Sequence, residues 1–219
     1  MYLDKVMVLT ADVVDSRLIP APVLEARMNA VAGMLEEQMS EGKKLFEFYR
    51  GDSFQALIPA GDALKVALLW RAAMKATQGS HDWDIRIAIG AGEIRHLGNT
   101  LASSGGTAFQ YSGTLLDSMK RSHDARIAFQ TNDEGWTAAL NTECLLAEGL
   151  ISRWTAIGAQ TVFNLLYFND TQDALAARMS VSQPAIHKRL QAANWSAIRH
   201  WEAFYRQAVM QKMEATETN

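Results

Sequence analysis

Two aspartates forty residues apart carry the clearest chemical potential in the chain. Asp12 lies in Val8-Leu-Thr-Ala-Asp-Val-Val-Asp-Ser-Arg17 and Asp52 in Phe48-Tyr-Arg-Gly-Asp-Ser-Phe-Gln-Ala-Leu-Ile58. Each sits where an apolar, strand-like run meets a loop or tight turn, so both carboxylates are expected at one sheet edge, able to share a divalent cation. Oxygen ligands suit magnesium or manganese, hard ions that keep waters and take further ligands from a substrate's phosphates. The pair is therefore a candidate nucleotide site. Taken singly, each aspartate also has an ordinary reading, since glycine-aspartate turns connect many hairpins and aspartates often end strands.

A second group of candidates lies in Thr171-Gln-Asp-Ala-Leu-Ala-Ala-Arg-Met-Ser-Val-Ser-Gln-Pro-Ala-Ile-His-Lys-Arg-Leu190. Small Ala176 permits close helix approach, Ser180-Val181 forms a turn, Ser182 can cap a second helix, and Ile186 with Leu190 supplies that helix's buried stripe. The stretch resembles a bacterial helix-turn-helix at about residues 171–193, with serine at position 180 where many such turns carry glycine. On that resemblance Gln183, His187 and Lys188 point outward, Ser182 lies at the N-terminal end, and Arg189 and Arg178 are near enough for phosphate contact with double-stranded DNA. A helix pair used for packing or dimerisation is the other reading of the same pattern.

The elements that must position these residues follow from periodicity. Residues 6–14 form a continuous apolar run and read as a buried central strand, and residues 22–41 show helical spacing after Pro20 and Pro22. Residues 44–50 and 53–58 read as two strands joined at Gly51-Asp52, a dipeptide suited to a two-residue hairpin turn. Helical spacing returns over 62–77, and 85–94 is again a strand. The order β-α-β-β-α-β is the ferredoxin-like pattern, a sheet carrying its helices on one face. A loop of small residues, 98–106, leads to a helix over 108–122 and one more strand over 125–131. From residue 132 every periodic stretch is helical: 136–148, 151–168, 172–179, 183–193 and 196–212. The fold class is thus α+β, a ferredoxin-like unit over residues 1–132 followed by an all-α domain over 133–219.

Composition narrows the functional classes. With 48% hydrophobic residues in a chain of 219, a packed core is available, and the net charge of -3 gives no global pull toward nucleic acid. DNA contact must come from a local basic patch. The lone Cys144 excludes an intramolecular disulfide or a multi-cysteine metal cluster, and a reducing cytoplasm fits best. No secretory signal and no bilayer-spanning run is expected, the most apolar stretch being only residues 162–168. No Walker lysine motif or dinucleotide fingerprint occurs. His81, His96, His123 and His200 have no partners at metal-ligand spacing. The aromatic residues Trp195, Trp201, Phe204 and Tyr205 read as core or interface filling.

Taken in order, Ala11-Asp-Val-Val14, Arg50-Gly-Asp-Ser-Phe54 and Ile85-Arg-Ile-Ala-Ile-Gly-Ala-Gly92 resemble the palm of class III nucleotidyl cyclases. Gly106-Thr-Ala-Phe-Gln-Tyr-Ser-Gly-Thr-Leu-Leu116 is similar to that family's next helix. The whole chain resembles the bacterial SatD-like proteins, palm plus helical part. The cyclase resemblance implies that Asp12, Asp52 and the main chain of Val13 hold metal, with Asp15 ranked lower. One ion would activate the ribose hydroxyl and another would steady the triphosphate. Departures bear on catalysis: Gln110 and Thr114 stand where active cyclases place asparagine and a charge-supporting arginine, and Phe48 stands where a base-selecting lysine is frequent. Loss of one such donor costs on the order of a hundredfold in rate. Lys120 and Arg121 are available as substitute charges.

Two functions are thereby expected as alternatives. One is a cytoplasmic, homodimeric transcription regulator that binds a nucleotide with magnesium or manganese and DNA. The other is a metal-dependent nucleotidyl cyclase or related phosphoryl-transfer enzyme whose helical part serves oligomerisation. A palm retained only as a protein-interaction fold is the third possibility.

Overall fold

The computed structural model describes residues 5–38, 46–77, 79, 81–122 and 124–217. Residues 39–41 of the expected first helix, residues 44 and 45 of the expected second strand, and His123 lie outside the described residues.

The continuous apolar run becomes β1 (Val6–Val13), the middle strand of a five-stranded sheet ordered β2-β3-β1-β4-β5. Its neighbours are β3 (Ser53–Pro59) and β4 (Ile85–Gly90), both antiparallel to it. The strand β2 (Phe46–Arg50) pairs with β3 as a hairpin, and β5 (Ile127–Gln130) lies parallel to β4 at the far edge. Before Asp12 the β1 run is apolar except for Thr10, because both faces are covered. Met7, Leu9, Ala11 and Val13 belong to the main apolar cluster, while Val8 joins a second cluster with Leu57, Leu101 and Ala108.

Helices α1 (Ala21–Gln38) and α2 (Ala63–Lys75) contribute Met28, Val31, Leu64 and Leu68 to the main cluster, as the one-face pattern expects. Helix α3 (Thr107–Met119) differs, covering the opposite face through Ala108, Leu116 and the Thr10–Ser112 hydroxyl pair at 2.8 Å. Its close approach explains why β4 ends at Gly90 instead of running to residue 94. A Cβ at Gly90 would lie 2.2 Å from the Ala108 carbonyl oxygen, so only glycine lets the helix start where it does.

After β5 the described elements are all helical: α4 (Glu134–Ile151), α5 (Ala156–Phe168), α6 (Gln172–Arg178), α7 (Gln183–Ala192) and α8 (Trp195–Glu217). The break between α4 and α5 falls at 152–155, later than the periodicity suggests. There Thr155 accepts the Gly158 N–H as an N-cap, and the Trp154 indole N–H donates to the Ala193 carbonyl at 2.8 Å.

These helices pack on the same side of the sheet as α1 and α2, and one apolar cluster runs from Met7 to Val209. Several polar links cross between the halves of the chain, and two of them are buried. The Tyr205 hydroxyl of α8 donates to the Ala60 carbonyl at 2.9 Å. Fully buried Arg71 of α2 donates to Asp84 before β4 and to both carboxylate oxygens of Glu148 on α4. Burial alone would lower the Arg71 value and raise that of Asp84. Their mutual attraction outweighs it, holding the guanidinium well above its ordinary range and the Asp84 carboxyl below 3.8. Among the described residues no helix is long and apolar enough to cross a membrane.

Candidate functional site

Asp12 is the penultimate residue of β1 and points to the α3 face, opposite Ser53 on β3 and Arg86 on β4. Asp52 sits in the β2–β3 turn, and its carbonyl accepts the Val13 N–H at 3.0 Å, tying the turn to the end of β1. Both expected metal ligands therefore lie at the same end of adjacent strands, with Val13 between them. Asp15 is exposed, holds a left-handed backbone (φ 52°) and opens the short turn Ser16–Leu18.

The partners of these carboxylates are cations and hydroxyls. Arg86 Nε donates to Asp12 Oδ1 at 2.8 Å, and the Lys120 ammonium lies 3.3 Å from Asp12 Oδ2. Asp12 is only 4% exposed, so these contacts satisfy a buried charge that would otherwise be costly. Asp52 accepts from Ser16 Oγ at 2.7 Å and from Ser53 Oγ at 3.1 Å. The arrangement does not fit a resident divalent cation as it stands, because both Asp12 oxygens already face positive charge. Among the described residues no group of three or more histidine, cysteine or acidic side chains could hold a metal.

Lys120, at the C-terminal end of α3, thus joins Asp12 and also contacts Asp117 at 3.4 Å. Gln110 and Thr114 do not join it. Both are exposed on the side of α3 away from the sheet, and the Thr114 hydroxyl donates to the Gln110 carbonyl at 2.7 Å. Phe48 lies on the other face of the sheet, edge-on to Phe46, so it does not fill space beside Asp12. Arg86 was missed by reading the residues alone. Its signal is a single charge in the apolar run Ile85-Arg-Ile-Ala-Ile, which gains meaning only once the β1–β4 register sets it opposite Asp12.

The second candidate region is built on α6 and α7. Leu175, Ala176, Ile186 and Leu190 are buried between them, and small Ala176 allows the close crossing. The turn is a Schellman arrangement: the Val181 N–H donates to the Ala176 carbonyl, the Ser180 N–H to that of Ala177, and Ser180 takes a left-handed backbone (φ 55°). Ser182 occupies the N-cap position without a side-chain bond, its carbonyl receiving the Ala185 and Ile186 N–H groups. Ser182, Gln183, His187 and Lys188 are exposed, and Arg189 is half-buried. Arg178 is engaged elsewhere, paired with Asp170 at 2.8 Å and stacked 3.5 Å over Phe168.

A groove flanks α7 on each side. One, of about 540 Å³, carries His187, Gln191, Asn194 and His200. The other, of about 280 Å³, is lined by Arg153, Thr155, Gly158, Lys188 and Arg189. Both grooves are walled mainly by apolar atoms, the first also carrying hydrogen-bonding side chains and the second three cations. No family model, curated protein or solved structure matches this chain.

Proposed function

We propose that the chain is a cytoplasmic, DNA-binding transcription regulator in which α6 and α7 form a helix-turn-helix and the sheet forms a nucleotide-binding palm. The observation that carries this reading is the outer edge of α7. Gln183 and His187 are exposed, four residues apart, on a helix whose opposite stripe, Ile186 and Leu190, is buried. A helix anchored by one face and polar on the other is what a major groove admits. Paired half-sites favour a homodimer. The strand order β2-β3-β1-β4 and the β-α-β-β-α-β succession support a ferredoxin-like, cyclase-type palm over residues 1–132, with the remainder acting as the DNA-binding unit, as in the SatD-like resemblance.

Selection of bound duplexes from a random pool tests the DNA half. Wild-type protein should enrich a short, twofold-related sequence, and Gln183→Ala should relax preference at one position of each half-site by about 1–3 kcal/mol. Failure of any sequence to enrich removes the reading.

Nucleotide binding at Asp12 and Asp52 with magnesium or manganese requires the cation to displace Arg86 and Lys120 from Asp12. A melting-temperature rise with a nucleoside triphosphate and either metal, absent in Asp12→Asn and Asp52→Asn, would sustain it. The catalytic alternative rests on Asp12 and Asp52 lying at the same end of adjacent strands, while Gln110 and Thr114 stay away. Formation of cyclic product or pyrophosphate with manganese, lost in Asp12→Asn, is its test.

A further inference from the structure

The chain is acidic overall, with a net charge of -3, so where its unpaired cations gather is informative. Several basic side chains are committed to acidic partners: Arg71 and Lys75 to Asp84, Arg86 and Lys120 to Asp12, Arg95 to Glu93, Arg178 to Asp170, and Arg206 to Glu202 and Asp62. Arg153, Lys188 and Arg189 have no such partner among the described residues, yet all three line the same groove of about 280 Å³.

Their convergence is built into the fold. Arg153 lies in the corner between α4 and α5, and the adjacent Trp154 donates its indole N–H to the Ala193 carbonyl just past the end of α7. That bond, between buried groups, fixes the corner against the helix carrying Lys188 and Arg189. Three cations around one groove, Arg153 and Lys188 exposed and Arg189 half-buried, make a local positive patch on an acidic chain. An anion is attracted to such a patch, and guanidinium groups match phosphate oxygens in bidentate geometry.

We infer that this groove is a phosphate clamp for the DNA backbone, set beside the base-reading edge of α7 and distinct from it. The inference rests on the helix-turn-helix reading and gives it a division of labour. Gln183 and His187 face bases, while Arg153, Lys188 and Arg189 grip one or two phosphates and set the angle at which α7 enters the groove. Arg153 lies outside residues 171–193, so the binding surface extends to the α4–α5 corner. Arg178, which the helix-turn-helix pattern alone would assign to phosphate, is replaced in that role.

The test is fluorescence anisotropy of the full chain with a short random-sequence duplex, titrated from about 50 to 200 mM salt. Wild-type affinity should fall linearly with salt on logarithmic axes. Arg153→Gln and Lys188→Gln should each reduce the slope by about 1 and weaken binding equally on all sequences. Arg95→Gln, which removes an exposed charge paired with Glu93, serves as control and should leave the slope unchanged. An unaltered slope in the Arg153→Gln/Lys188→Gln double variant, or an equal loss in Arg95→Gln, overturns the clamp while leaving DNA binding intact. No wild-type binding at about 50 mM salt overturns the clamp and the helix-turn-helix reading together. If inorganic phosphate or pyrophosphate raises the melting temperature through Arg153 while no duplex binds, the groove serves a free anion and the DNA assignment fails. Circular dichroism melts of each variant separate loss of contact from loss of fold.

Discussion

Arg71 illustrates how a residue in an apolar context acquires its role from distant partners. It follows Leu68-Leu-Trp70 in α2 and reads locally as the polar edge of a helix, yet it is fully buried between Asp84 and Glu148. Replacing it by methionine leaves two carboxylates facing each other in the interior, a change expected to cost about 3–5 kcal/mol at neutral pH. The cost should depend on pH. The Asp84 carboxyl is held below its ordinary 3.8, so its ionised form stabilises the fold above that value and the contribution is lost as pH falls through the depressed one. Urea unfolding of wild type and Arg71→Met should therefore differ most near neutrality, and the gap should narrow below 3.8. A gap independent of pH would show that the loss is packing alone. Asp12 follows the same logic at the candidate site: the residue is legible in the sequence, but Arg86 and Lys120 reach it only through strand register and the placement of α3.

At the level of elements, local pattern and tertiary packing divide the outcome. The strand β1 and the Gly51-Asp52 hairpin were legible because an unbroken apolar run and a turn dipeptide are local signals. The early end of β4 was not, since it depends on α3 docking against Gly90. Nor was the α4–α5 break, whose Trp154 anchor is on α7's distant end. The turn between α6 and α7 carries a measurable strain: Ser180 holds a positive φ that a side chain disfavours. Ser180→Gly should stabilise the protein by about 1 kcal/mol, raising the melting temperature by roughly 2–4 °C. Unchanged or lowered stability would mean that the serine side chain contributes more than its backbone costs.

At the level of the whole molecule, the change from strands to helices after Gln130 does not interrupt the apolar interior, which runs from Met7 to Val209. A fragment of residues 1–132 would lose the Glu148 partner of Arg71 and the Tyr205 anchor at Ala60, and would bare Leu64, Leu68 and their neighbours to water. Exposed apolar surface of that extent favours association, so the fragment should be recovered aggregated or without a cooperative melt, whereas the full chain melts in one transition. A fragment that unfolds cooperatively as a monomer would contradict this. A signal between the sheet and helices α6 and α7 would travel through shared packing instead of through a flexible joint.

The contact between the Tyr205 hydroxyl and the Met7 sulfur, 3.4 Å apart and 198 residues distant in the chain, also has a consequence in time. During synthesis the first strand leaves the ribosome long before the helix that will cover it. At 5–20 residues per second the wait is about 10–40 s, during which one side of β1 lacks its final cover. The nascent chain should be a chaperone client throughout that interval, released only when α8 emerges.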